Sequence, residues 1–276
     1  MSRRKKSIII ADVTGCIIAF FIFVVPFLFM ILTSLKDRKE ANSLNFFLPS
    51  SLHFENFIEV IKNNNFQIIL AFKNSAVLTV GSVILLIFTG AMAGYVIQRK
   101  KNRLSRIANL MVMIGLMLPP AVLPSIWLLK TLHIYKTMFS MIMIETALNI
   151  PFTIMLYRGF IGTVPVELEE AAYVDGCTPK QIFIKIIFPL LKPITATVII
   201  LNAVTVFNDF TNPLYFLPGY NNSTIQLTLY NYMSTFQNSF HLLFANIIII
   251  VIPMFLLFLI FNKRIVEGMV AGSVKG

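Results

Sequence analysis

Six long apolar stretches constrain this chain more than any other feature: Ile8 to Leu32, Asn74 to Ile97, Ile107 to Leu129, Met138 to Tyr157, Ile194 to Leu217 and Leu242 to Phe261. A helix needs about 20 residues to cross a hydrocarbon layer ~30 Å thick, and each stretch is long enough. Backbone groups in lipid must find partners within their own structure. Nothing here alternates in the manner of barrel strands, so the spans are expected to be helices. The composition agrees, with 57% hydrophobic and only 13% charged residues, far from the balance of a soluble domain. The fold class expected is all-α: a polytopic membrane protein with six transmembrane helices in a single domain over 1–276. The third stretch is expected to break or bend at Pro119, Pro120 and Pro124.

Cations set the orientation. With the amino terminus in the cytoplasm, the inner side receives Arg3 to Lys6, the cluster from Arg99 to Arg106, then Arg158, Lys180, Lys185 and Lys192, and finally Lys263, Arg264 and Lys275. The outer side holds only Lys36, Arg38, Lys39, Lys62, Lys73, Lys130 and Lys136. Both termini are therefore predicted to be cytoplasmic. The formal charge of +11 lies in short loops beside apolar spans, where lipid headgroups and topology account for it, so no nucleic-acid partner is expected. The first apolar run is too long for a cleaved signal peptide and lacks a small-residue cleavage site, so it is taken as a retained span. Cys16 falls in a span and Cys177 in an inner loop, a placement that favours neither a disulfide nor a metal site.

The chain contains no G-x-x-x-x-G-K-[ST] loop, no H-E-x-x-H and no G-x-S-x-G. His53, His133 and His241 are far apart in sequence. No catalytic, cofactor or metal residues are predicted, and any energy from ATP has to come from another subunit.

The inner loop over 163–190 is punctuated with care. Pro165 suits the first turn of a helix starting near Val164, and Glu167, Glu169 and Glu170 place negative charge at its amino end. Leu168, Ala171 and Ala172 form a narrow apolar side, and the helix is expected to end near Asp175, before Gly176. Thr178, Pro179 and Gln181 then form a capping box for a second helix, which Pro189 and Pro193 are expected to stop. The expectation is two short helices joined by a glycine elbow.

This stretch resembles the inner-loop signature of the permease subunits of binding-protein-dependent ABC importers: E-A-A, three residues, G, nine residues, then I-x-L-P. Here it reads Glu170, Ala171, Ala172, then Gly176, then Ile186, Ile187, Phe188 and Pro189, with Phe in place of Leu. "FENF" at Phe54, "FNDFTNPL" from Phe207 and "GMVAGSVKG" from Gly268 to Gly276 add a likeness to the carbohydrate-uptake branch, in particular the maltose-type second permease. The resemblance implies a type I importer fold in a bacterial inner membrane, forming half of a translocation pore. It implies as partners a second permease, two cytoplasmic ATPases that bind ATP and Mg2+, an extracytoplasmic solute-binding protein and a sugar. Glu170, Ala171, Ala172, Asp175, Gly176 and Pro189 are then the ATPase-coupling residues.

Polar residues recur inside two spans. Asn202, Thr205, Asp209 and Asn212 follow i, i+3, i+7 and i+10 spacing, and Glu145, Asn149 and Thr153 follow i, i+4 and i+8. An Asp at the bilayer centre costs about 2.5 to 3.5 kcal/mol on insertion scales, so neither stripe is expected to face lipid. Each fits a lining of the translocation path, or interhelical hydrogen bonding. A stand-alone ion- or proton-coupled carrier using Asp209 and Glu145 is the alternative functional class. Two smaller features complete the picture: "LHFENFIEVIKN" as a short interfacial helix with Phe54, Phe57, Ile58 and Ile61 on one side, and "GAMAG", Gly90 to Gly94, as a point of close helix approach.

Overall fold

The computed structural model describes residues 12–232 and 239–273, with side chains described as far as Ile260 apart from residue 257. The basic run Arg3 to Lys6, the ending Gly268 to Gly276 and the cations Lys263, Arg264 and Lys275 therefore lie outside the described residues or their side chains. The described chain is helical: α1 (Asp12–Ser34), α2 (Arg38–Asn42), α3 (Glu55–Arg99), α4 (Arg103–Met117), α5 (Val122–Thr131), α6 (Met138–Ile161), α7 (Glu167–Val174), α8 (Pro179–Leu190), α9 (Lys192–Phe207), α10 (Thr211–Phe216) and α11 (Phe240–Ser273). Among the described residues four helices are long and apolar enough to cross a membrane by themselves: α1, α3, α6 and the Phe240–Ile260 part of α11. Two bent pairs bring the number to six if each pair is one span: α4 with α5, at 117°, and α8 with α9, at 72°.

Prolines and asparagines decide where these helices bend. Pro119 and Pro120 follow the end of α4, where Leu118 is already extended (ψ 129°), as the ring of a following proline demands. In α3 the short helix from Glu55 is cut off at Asn63 to Phe66, where Asn64, Asn65 and Phe66 all take left-handed angles (φ 48°, 53° and 61°). Asparagine tolerates that conformation better than other side-chain-bearing residues, so Asn64 and Asn65 locate the kink. Of the apolar side expected on this helix, Phe54, Ile58 and Ile61 are exposed, whereas Asn56 and Val60 are buried.

The chain divides into two compact units. The first comprises Met1–Ile69 and Thr228–Pro253. Its polar anchor is Asn56, whose amide donates to the carbonyls of Ser34 (2.8 Å) and Lys36 (3.0 Å). Lys36 is itself buried and donates to the Asn45 carbonyl at 2.7 Å and its side-chain oxygen at 2.9 Å. Phe29 packs against Phe46 and Phe244, with ring centroids 4.9 and 5.5 Å away.

The second unit, Leu70–Leu227 with Met254–Gly276, is built around α6. Lipid tails are as apolar as leucine, so close packing rather than exclusion of water drives helix association here. Gly90 and Gly94 supply it. A Cβ on Gly90 would stand 2.6 Å from Thr153 Cγ2, and one on Gly94 would stand 2.9 Å from Tyr157 Cβ and 3.1 Å from the Arg158 nitrogen. The partner of the "GAMAG" face is thus α6. A buried cluster that includes Tyr157, Ile161, Ala172, Ile182, Ile187 and Leu191 joins α6 to both helices of the 163–190 loop.

The second loop helix ends at Leu190, between Pro189 and Pro193 as expected, after a π-helical turn over Ile182–Ile187. One expectation for the spans is corrected. The fifth apolar stretch is not one helix: α9 ends at Phe207 and α10 begins at Thr211. In a continuous helix the Pro213 ring would collide with the carbonyl of Asp209, four residues earlier.

Candidate functional site

The 163–190 loop forms the elbow anticipated. Gly176 has φ +81°, in the region where a side chain is strained. Its N–H donates to the Tyr173 carbonyl at 3.0 Å, and the Cys177 N–H donates to the Ala172 carbonyl at 2.9 Å, which closes the end of α7. Thr178 and Gln181 complete the capping box in both directions. The start of α7 differs from expectation by one turn. It begins at Glu167, not near Val164: Val164 precedes Pro165, whose ring disfavours helical angles at that residue, and its carbonyl accepts from a terminal nitrogen of Arg99 at 2.8 Å.

One side chain orients the whole of α7. Glu169 turns inward and accepts from Arg99 Nε at 2.6 Å and from the Tyr95 hydroxyl at 2.7 Å, both on the last turns of α3. Ala172, three residues on, is buried with it, whereas Leu168 and Ala171 face out; the expected apolar side is therefore rotated. Glu170, Ala171, Asp175, Gly176 and Pro189 are exposed, and beside them Tyr173 and Val174 are 70% and 85% exposed. Sequence reasoning missed Glu169, Arg99 and Tyr95, since nothing in local spacing links positions 70 residues apart. It also passed over Tyr173 and Val174, whose signal was two large apolar residues outside the Leu168–Ala172 stripe.

The polar stripes in the spans meet. Along α6 the Asn149 amide donates to the Glu145 carbonyl at 2.9 Å and to its Oε2 at 3.3 Å, and Thr153 Oγ1 donates to the Asn149 carbonyl at 3.0 Å. From α9 the Asn202 amide donates to Thr153 Oγ1 at 3.2 Å and to the Val198 carbonyl at 2.9 Å. Asn202, Thr153 and Glu145 are buried within the unit, while Thr205 is exposed and donates to the Leu201 carbonyl at 2.8 Å.

Asp209 and Asn212 do not continue the α9 stripe. They sit at the break, where Asp209 Oδ1 accepts from the backbone N–H groups of Thr211 (2.9 Å) and Asn212 (3.2 Å) and so caps α10. Both nevertheless lie beside the Glu145 carboxyl. The four polar positions predicted as one line are thus divided between a helix-to-helix tie at Asn202, an exposed hydroxyl at Thr205 and a capped break beside Glu145.

Residues 86–270 match the family described as "Binding-protein-dependent transport system inner membrane component", a range that takes in the elbow and both stripes. The melibiose/raffinose/stachyose import permease protein of Bacillus subtilis is 33% identical over 276 residues, covering 99% of each chain. The multiple sugar-binding transport system permease protein of Streptococcus mutans is 32% identical over 261 residues, covering 92% of each. In fold, the chain is similar to a chain of a bacterial ABC transporter involved in import of the acidic polysaccharide alginate. The TM-score is 0.82 at 19% sequence identity, over 95% of this chain and 98% of that one.

Proposed function

The chain belongs to the family of binding-protein-dependent transport system inner membrane components, the permeases of ABC importers, and on that premise we propose that its cargo is a sugar and that the elbow at Gly176 couples it to a separate ATPase. In this reading each bent pair is one span, the six spans form one membrane domain with both termini in the cytoplasm, and a second permease completes the pore. Two ATPase subunits, holding ATP and Mg2+, work from the cytoplasm, and a solute-binding protein delivers sugar from outside. The sugar assignment is supported by the names of the relatives, which are import permeases for oligosaccharides and multiple sugars.

The observation that carries the coupling role is the elbow's two-sided construction. Glu169 and Ala172 hold α7 to the bundle, while Glu170, Ala171, Tyr173 and Val174 stand outward beside a glycine in the left-handed region. A lever needs such a grip on one side and a free face on the other. Taking a two-state gate from 1:99 to 99:1 requires about 5.5 kcal/mol of differential binding. No nucleotide-binding loop occurs in this chain, so closure of the ATPase pair supplies that energy and the elbow transmits it to α6 and α9.

The test is a Val174→Cys variant, in a Cys16→Ser/Cys177→Ser background, co-expressed with its ATPase and assayed in proteoliposomes. Crosslinks from position 174 to the ATPase, together with ATP-dependent uptake of melibiose or raffinose, are the expected result. Crosslinks to lipid alone, or uptake by the purified chain under an ion gradient without an ATPase, would overturn it in favour of the carrier built on Glu145 and Asp209.

A further inference from the structure

Between the end of α3 and the start of α4 lies a cleft of about 340 Å³ lined by Gln98, Lys100, Lys101, Arg106, Asn109 and Arg158 among others. That space is roughly ten water volumes. Four of these residues are cations, and among the described residues none of the four takes part in an ion pair. The side preference of cations explains why Lys100 and Lys101 occur in a loop, but not why Arg158 does what it does. Arg158 projects from α6, is only partly exposed, and is aimed by two neutral amides: its Nε donates to Gln98 Oε1 at 3.2 Å and one terminal nitrogen donates to Asn109 Oδ1. A guanidinium withdrawn from water and held by carbonyl oxygens alone still lacks a counter-charge. The amino terminus of α4, a helix of 15 residues, opens onto the same cleft and adds positive potential.

The level of the cleft favours a lipid over a free ion. On α4, directly after the basic residues, Leu104, Ile107 and Leu110 are 73%, 43% and 59% exposed, on the side of the helix turned away from Ser105 and Asn109, so the exposed apolar surface of α4 begins at the level of the cleft. We propose that this cleft binds the phosphate of an anionic membrane phospholipid, with Arg158 and Arg106 gripping the phosphate and Lys100 and Lys101 neutralising the headgroup. The site bridges α3, α4 and α6, so an occupant fastens the first turn of α4 to the two helices that carry the elbow. It is independent of the cargo and of the coupling role.

The test uses the purified full-length chain and native mass spectrometry, with phosphatidylglycerol, phosphatidylcholine of the same acyl chains and inorganic phosphate as separate probes. One tightly retained phosphatidylglycerol is expected. Retention should fall about five-fold for each cation removed, from the weight of a basic residue near an anionic headgroup. The loop variant Lys100→Gln/Lys101→Gln is then lowered about 25-fold while its Tm is unchanged. Arg158→Lys is expected to keep most of the binding and Arg158→Gln to lower it by about the same five-fold. Equal retention of the two lipids, or undiminished phosphatidylglycerol on the loop variant, would overturn the site. Binding of inorganic phosphate with no preference among lipids would overturn the lipid assignment and leave a soluble anion as the ligand.

Discussion

Arg99 and Glu169, 70 residues apart in sequence, form an ion pair at 2.6 Å whose side chains are only 15% and 13% exposed. The pair joins the last turn of one membrane helix to the first turn of the loop helix that carries the E-A-A residues. The Tyr95 hydroxyl takes the other carboxylate oxygen at 2.7 Å, so the acid is held at both oxygens and α7 cannot rotate about its own axis without breaking the tie.

The first prediction follows from that tie. In a double-mutant cycle of Arg99→Ala and Glu169→Ala, thermal unfolding of the purified chain is expected to give a coupling energy of about 0.5 to 3 kcal/mol, the range for residues sharing one network. Either single variant leaves a mostly buried charge without its partner and should be at least as unstable as the double variant. In the assembled transporter both singles are expected to retain ATP hydrolysis but lose much of the uptake it drives. A coupling energy below about 0.3 kcal/mol would mean that the contact does not hold the loop.

Gly176 separates strain from docking. With φ at +81°, any side chain there carries a backbone penalty of about 1 to 2 kcal/mol. Yet a Cβ built at this position meets no heavy atom within 4 Å. For the isolated chain Gly176→Ala and Gly176→Leu are therefore expected to be destabilised equally, as read by Tm. If the elbow enters a groove on the ATPase, the leucine variant alone will also fail to copurify with it. Equal recovery of the ATPase on both variants would argue that this face is open to solvent in the complex.

The glycines of the α3–α6 contact make a sharper contrast. Gly94→Ala forces a methyl to within 2.9 Å of Tyr157 Cβ and 3.1 Å of a backbone nitrogen, neither of which is a flexible tip. Overpacking of this kind costs about 1 to 3 kcal/mol. Gly159→Ala, on the facing helix but with nothing within 4 Å, should be neutral or gain up to ~1 kcal/mol from helix propensity. Thermal unfolding of the two variants side by side in the same detergent checks both signs.

These contrasts also mark how much was legible in the chain. The elbow was, because Gly176, Thr178, Pro179 and Gln181 each act on backbone within four residues of themselves, and local rules govern local geometry. The bends at Pro119 and Pro120 were legible for the same reason. The break between α9 and α10 was not anticipated, although Pro213 carried the signal: spacing drew the eye along Asn202, Thr205, Asp209 and Asn212 as if the helix were continuous. Rotation of α7 was not legible at all, since it depends on Arg99, whose charge is fully accounted for by topology until the fold brings Glu169 to it. Family membership rested on the E-A-A spacing and was readable before any helix was placed, whereas "GAMAG" announced close packing without naming α6 as its partner.

Asn202 offers the clearest separation of lining from tying. Both readings of the stripe put this residue on a protein-facing side, but they differ on what its amide does. In the structure it is 2% exposed, and its nitrogen is engaged by Thr153 Oγ1 at 3.2 Å and the Val198 carbonyl at 2.9 Å. Interhelical hydrogen bonds of this type in membranes average about 0.6 kcal/mol and reach about 1.7. Thr153→Val, which keeps shape and removes the hydroxyl, is therefore expected to lower stability by about that average, with no change in the KM for uptake. Asn202→Leu should lower stability further and likewise leave KM alone, because no free donor faces a path. Thr205, exposed one turn further along α9, supplies the control: if the stripe lines the route, Thr205→Val moves KM while leaving Tm unchanged. A KM shift in Asn202→Leu with Thr205→Val silent would reverse the assignment, making Asn202 the sugar contact and requiring α9 to turn relative to α6 during transport.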